Sequence, residues 1–325
     1  MARNVLPWNV AVIVTCVLSV ALIVLPCTGS AQSPGMKPLL LAEADRKKTL
    51  VIGRISRSAR RHAKRVQILA DYLGEQLQEF GIRNTQSLIA EDLPTMIRHF
   101  KNGEVDLISE TAYGAVELAN TVGARPLLLE WKHGNEFYKS IIFVRKDSAI
   151  STLADLKGKV IAYEDPGSTS AFFVPLIMLH QAGLSSARMK SIRSPLQSDK
   201  ANYVFTEGEL NQVSLVLNKN VDAAAFSNSN WEEFIAQNDE ISGLFRILGT
   251  SPPILRSVML ARQNLNPDLR DKIVELLIDI DQTSEGRKVL KKYNKVEQYS
   301  LFEDATQKSW HWIAEFRRKM TNFKQ

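Results

Sequence analysis

The chain has 325 residues, of which 45% are hydrophobic and 23% charged, with a formal net charge of +6. That balance excludes a disordered chain and leaves enough length for two lobes with buried cores. The basic excess is modest and lacks aromatic interleaving, which argues against a nucleic-acid partner.

In chain order, Arg3 precedes a nearly continuous apolar stretch from Val10 to Pro26, and Gly29-Ser30-Ala31 supplies the small residues that a signal peptidase reads. Residues 1–31 therefore read as an export signal cut before Gln32. An uncleaved N-terminal anchor and, on the weak context of Cys27, a lipoprotein are the second and third alternatives. Both cysteines, Cys16 and Cys27, lie in this leader, so the exported chain would hold no disulfide, thiol nucleophile or cysteine metal site. Residues 32–47 read as a linker.

Residues 49–53 predict a buried strand. The densest basic patch follows, Arg54, Arg57, Arg60, Arg61, Lys64 and Arg65, and reads as a solvated helix face, with Arg54 or Arg57 reaching a ligand as the minority alternative. Val66, Leu69, Ala70, Leu73, Leu77 and Phe80 recur at helical spacing, with Gly81 as a C-cap. Residues 87–90 predict a strand, 93–100 a helix, and 105–109 a strand ending in Glu110-Thr111. Such alternation implies a mainly parallel sheet that binds ligands at the carboxyl ends of its strands.

Residues 141–144 predict a buried strand leading into a hinge at Lys146-Asp147-Ser148. A short helix over 153–156 and a strand from Val160 precede the run Glu164-Asp165-Pro166-Gly167-Ser168-Thr169-Ser170. Pro166-Gly167 makes a turn, and the three hydroxyl residues open a helix whose unpaired N–H groups and dipole attract a small oxyanion. On this run alone, an ordinary capped helix is an equal alternative. Residues 209–217 predict a helix and 221–226 a strand ending in Ser227-Asn228-Ser229-Asn230. Residues 258–261 then rejoin the first sheet, and 268–281 form an amphipathic helix. Trp310, Trp312 and Phe316 read as packing anchors. The resulting organisation is lobe 1 over 48–146, lobe 2 over 147–248, and a return to lobe 1 with C-terminal helices over 249–325, so that two crossings leave a cleft.

The five histidines, His62, His99, His133, His180 and His311, show no metal-ligand spacing, and there is no Gly-x-Ser-x-Gly elbow or Walker loop. Glu164-Asp165 reads as a turn and cap rather than an acid/base pair. No metal, cofactor or catalytic residue is expected.

Five separated motifs carry a resemblance. Asp106-Leu107-Ile108, Tyr138 to Ser148, Leu153-Ala154-Asp155-Leu156-Lys157-Gly158-Lys159, Asp165 to Ser170 and Ser251-Pro252-Pro253-Ile254 stand in the order and spacing of the phosphate, phosphite and phosphonate substrate-binding proteins of ABC transporters. The chain resembles that family over residues 49–291. The resemblance implies an α/β, bilobed type II periplasmic binding protein fold: two mixed sheets flanked by helices, with a hinge between lobes. It also implies that Ser168, Thr169 and Ser170 hold the oxyanion, that Tyr138 reaches the cleft, and that Glu110, Thr111 and Tyr113 line it. Two positions depart from the family pattern. Glu209 stands where phosphonate binders commonly carry a histidine, and Ser227 where they carry an acid. The expectation is a periplasmic, monomeric, non-enzymatic solute-binding protein that captures a small anionic ligand for an ABC transporter permease, touching the membrane only through an uncleaved leader. A ligand sensor docking onto a membrane signalling protein is the alternative, and an enzyme on the same fold a remoter one.

Overall fold

The computed structural model describes residues 43–206 and 208–322, so the expected leader and most of the expected linker lie outside the described residues. In chain order the elements are α1 (Glu43–Arg46), β1 (Thr49–Ile55), α2 (Ala59–Gln76), β2 (Asn84–Ala90), α3 (Leu93–Lys101), β3 (Leu107–Glu110), α4 (Ala112–Val122), β4 (Arg125–Trp131), β5 (Phe137–Tyr138) and β6 (Ser140–Arg145). Next come β7 (Val160–Tyr163), α5 (Val174–Gln181), β8 (Ser186–Arg188), β9 (Ala201–Phe205), α6 (Glu209–Leu217), β10 (Ala223–Ser227), α7 (Asn228–Gln237), α8 (Asp239–Ser242) and β11 (Phe245–Thr250). The last are β12 (Ile254–Leu255), β13 (Val258–Ala261), α9 (Pro267–Ile278), α10 (Ser284–Asn294), β14 (Gln298–Leu301) and α11 (Asp304–Asn322).

Two six-stranded sheets result, ordered β14-β4-β13-β3-β1-β2 and β11-β6-β10-β7-β9-β8, with β5 and β12 pairing as a separate antiparallel ribbon. In each sheet the strands joined by helical crossovers run parallel, as right-handed βαβ units require. The strand that follows each crossing is reversed: β6 is antiparallel to β10, and β13 to β3 and β4. Both sheets are therefore mixed, and residues 258–261 do rejoin the first one. One expectation needs correction. The strand over 141–144, expected to end lobe 1, pairs its main-chain groups with β10 and β11 and so opens the second sheet. The crossing lies before it, at β5, not at Lys146-Asp147-Ser148.

Period-2 alternation sends Val51 of β1 to one face of the first sheet and Leu50 and Ile52 to the other. The Leu50 side packs α2 through Val66, Leu69, Ala70 and Leu73, together with α9 and α10. The Val51 side belongs to a core that continues from Met96 and Val116 into Ile161 of the second sheet and Ile177 of α5, and takes in Ile313 and Phe316 of α11. Asp106, almost fully buried before β3, is clamped by Arg46 at 2.9 Å and Arg262 at 2.8 Å and accepts from Val51 N at 2.8 Å, which joins α1, β1 and the segment after β13. Among the described residues no helix is long and apolar enough to cross a membrane.

Candidate functional site

The hydroxyl run sits where β7 meets the helix behind it, and its local shape follows from Pro175. A proline at the second position of α5 has no N–H for the carbonyl four residues back and would press its ring against that carbonyl. The chain widens instead into a π-turn over Thr169–Phe173, with Phe173 N donating to Ser168 O at 3.0 Å. The freed carbonyls find partners outside the helix. Ala171 O accepts from Glu164 N at 3.3 Å, and Ser170 O from the Ser140 hydroxyl of β6 at 2.6 Å. Asp165 forms the preceding turn, its carboxylate taking Gly167 N at 2.7 Å, and Ser168 Oγ caps the helix by accepting from Ala171 N at 3.2 Å.

Thr169 spans the two sheets. Its hydroxyl donates to Thr111 Oγ1 at 2.9 Å and accepts from Tyr113 N at 3.0 Å at the start of α4. Beside this contact the Tyr113 ring stacks on Phe173 with centroids 4.2 Å apart. Burial, with Glu117 nearby, pushes the Tyr113 hydroxyl up to about 12. Tyr138 is buried with Arg256 over its ring, next to Ser170 and Thr169; burial pushes its hydroxyl up to about 12 as well.

A cavity of about 1200 Å3 opens on one side of this contact. From the side of the first sheet come Arg54, Ser56, Glu110, Thr111, Tyr113 and Lys132; from the side of the second come Glu164 to Ser168 and Phe173. Asn294, with its amide oxygen turned inward, accepts from Arg54 at 3.1 Å and from Lys132 at 2.8 Å. The buried Arg54 Nε has no hydrogen-bond partner among the described residues. Glu110 closes the carboxyl end of β3; burial pushes its carboxyl up to about 7 against the opposing pull of Arg54 and Lys132. Burial also lowers the Lys132 ammonium, which Glu130 at 3.2 Å partly restores. At the rim, Arg317 of α11 forks onto Glu117 of α4 at 2.7 and 2.8 Å. A second cavity, about 600 Å3, includes Tyr138, Lys139, Asn228 and Ser229 in its lining.

The expected site residues thus take three positions. Ser168, Glu110, Thr111 and Tyr113 line the large cavity; Thr169 and Ser170 are buried in the contact next to it; Tyr138 faces the smaller cavity. Ser227 is buried and caps α7 by accepting from Asn230 N at 3.1 Å. Glu209 begins α6, and its side chain lies outside the described residues. Sequence reasoning did not single out Lys132 and Asn294, which lie far apart in the chain and meet only through β4 and α10. Arg54, expected on a helix face, belongs instead to β1, at the strand's carboxyl end beside the cavity.

The chain is 27% identical to the phosphonates-binding periplasmic protein of Escherichia coli strain K12 over 256 residues, 76% of this chain and 71% of that one. It is 28% identical to the phosphate-import protein PhnD of Mycolicibacterium smegmatis, over 57% of this chain and 58% of that protein's length. Among solved structures it is similar to XAC2383 from Xanthomonas citri, solved with ATP bound, at 25% identity and a TM-score of 0.80, covering 85% of this chain and 98% of that one. The fold is the type II periplasmic binding protein architecture. The family model for the periplasmic phosphonate substrate-binding protein of ABC transporters matches residues 53–310, and the chain belongs to that family.

Proposed function

We propose that the chain is exported to the periplasm, binds a phosphonate- or phosphate-type oxyanion in the large cavity without turning it over, and delivers it as a monomer to an ABC permease. The observation that carries this reading is that Ser168, in the turn after β7, and Arg54 and Lys132, at the ends of β1 and β4, line a single cavity. An anion lodged between them gains charge-assisted hydrogen bonds from both sides at once, each contributing about 1.5–3 kcal/mol, so a few give micromolar affinity. Contacts to both sheets favour the closed arrangement, with bending at the β5–β12 ribbon as the hinge.

A larger phosphoryl ligand is the second reading. The cavity volume exceeds what a bare phosphonate fills, and the similar XAC2383 was solved with ATP. A thermal-shift screen of phosphate, phosphite, methylphosphonate, sulfonates, carboxylates and ATP tests both, because a ligand that binds only the folded chain raises its melting temperature. The first reading expects a rise with the small phosphoryl anions that Arg54→Gln and Ser168→Ala each diminish. A rise with ATP alone selects the second reading, and a rise with carboxylates alone refutes both.

A further inference from the structure

Glu110 is out of place in a cavity that receives an anion, because an ionised carboxylate repels an oxyanion. Yet the carboxyl is fixed there. It lies against Gly114, where any side chain larger than hydrogen would bring a Cβ within 2.9 Å of Glu110 Oε2. Glu110 also immediately precedes Thr111, whose hydroxyl meets Thr169 of the opposite sheet. The groups facing it are Arg54 from β1, Lys132 beyond β4, Tyr293 from α10 and Tyr113 and Glu117 from α4, with apolar Val258 of β13 opposite and Glu164 across the cavity. Two cations flank one carboxyl.

We propose that Glu110 is the specificity-determining residue of this cavity: its carboxyl and the bound phosphoryl anion share one proton in a single O–H···O hydrogen bond, so the site selects oxyanions that can carry that proton. A singly ionised phosphonate donating to the carboxylate and a doubly ionised one accepting from the carboxylic acid are two descriptions of the same complex. No proton is gained or lost beyond that one, and the remaining negative charge meets Arg54 and Lys132. A phosphoryl group loses its second proton near neutrality, at about pH 6 for a phosphate ester. Burial holds the Glu110 proton in the same range. A sulfonate has no proton to bring and can bind only when Glu110 supplies one. This inference rests on the proposed phosphoryl-anion reading.

Calorimetric titrations of wild type, Glu110→Gln and Glu110→Asp with methylphosphonate and methanesulfonate, from about pH 5.5 to about 9, test it. For wild type, methylphosphonate affinity is expected to trace a bell. Methanesulfonate affinity is expected to be level at low pH and to fall about tenfold per unit above about pH 7. Glu110→Gln keeps a neutral donor without a titration, so it flattens the sulfonate curve and raises sulfonate affinity about a hundredfold over wild type at about pH 9. Glu110→Asp retains the pH dependence with weaker binding. Lys132, the other flanking group whose titration burial moves, is unchanged in both variants, so the comparison with wild type isolates Glu110. Superimposable pH profiles for wild type and Glu110→Gln overturn the inference while leaving the phosphoryl reading intact. Wild type that binds no phosphoryl anion at any pH overturns both.

Discussion

Thr169 and Thr111 are joined hydroxyl to hydroxyl at 2.9 Å, and the same Thr169 oxygen accepts from Tyr113 N at 3.0 Å. Two bonds at one atom thus tie the turn behind β7 to the end of β3 and the start of α4, at the edge of the large cavity. The contact between the two sheets and the geometry of the hydroxyl turn therefore share one oxygen atom.

Thr169→Val keeps the shape of this side chain but leaves the Tyr113 N–H without its acceptor in a site where water has little access. The expected loss is about 1–3 kcal/mol, seen as a lower urea midpoint with an unchanged slope. Thr111→Val removes only one bond and should cost less. In the double variant the losses should fall short of their sum, because the shared hydrogen bond is counted twice. Strict additivity would show that the two hydroxyls act independently.

Much of the architecture was legible because buried strands and amphipathic helices write their periods into the sequence, as Leu50, Val51 and Ile52 do in β1 and Val66 to Leu73 do in α2. The stretch 112–131 was not, for physical reasons. The helix α4 is short, carries Gly114 among small residues near its start and confines its polar residues to Glu117, Asn120 and Thr121 towards its end, too few to set a clear helical period. Its successor β4 carries Pro126 in an interior strand, tolerated where the pairing with β13 shifts register between Met259 and Leu260. The crossing at β5 was hidden because Ser140–Arg145 reads as a buried strand equally well in either sheet. In the candidate site, the hydroxyl turn has a local signature, whereas the Arg54, Lys132 and Asn294 cluster is assembled from three separate elements and leaves none.

Ser168→Ala removes the cap on the π-turn, leaving Ala171 N without its acceptor. A stability loss of about 1 kcal/mol is expected, which a modest drop in melting temperature would report. Ligand affinity should fall more than this, because Ser168 lines the cavity proposed to receive the anion. Equal stability loss with unchanged affinity would confine Ser168 to capping.

Stability should also depend on Glu110 as pH changes. Its folded-state carboxyl titrates at about 7, above the 4.5 of an unburied glutamate. The folded chain therefore holds this proton more tightly than the unfolded chain does. The contribution is complete below about pH 4.5, declines as pH rises to about 7 and is absent beyond. Exposed carboxylates such as Asp92 and Asp155, whose pKa hydrogen bonds lower, act in the opposite sense at more acid pH, so the difference between wild type and Glu110→Gln is the informative quantity. That difference should slope downward across the window, and a flat line would place the carboxyl in a solvated environment.

Asp106 provides the sharpest test of how the first sheet is held. Its carboxylate receives Val51 N, two nitrogens of Arg46 and Nε of Arg262, while Arg46 also donates to Gly103 O and Thr49 O. Asp106→Ala strips one anion from between two guanidinium groups and orphans a buried N–H of β1. Removing one partner of a buried charge cluster costs about 3–5 kcal/mol, and partial exposure of the two arginines places this case at or below the lower end. Asp106→Asn should recover part of the loss by accepting from Val51 N without neutralising the arginines. Hydrogen exchange would localise the effect, with faster exchange expected in β1 and β3 and no change in β7, β9 and β10 of the second sheet. Loss of protection in both sheets together would mean that the two unfold as one cooperative unit through their shared core.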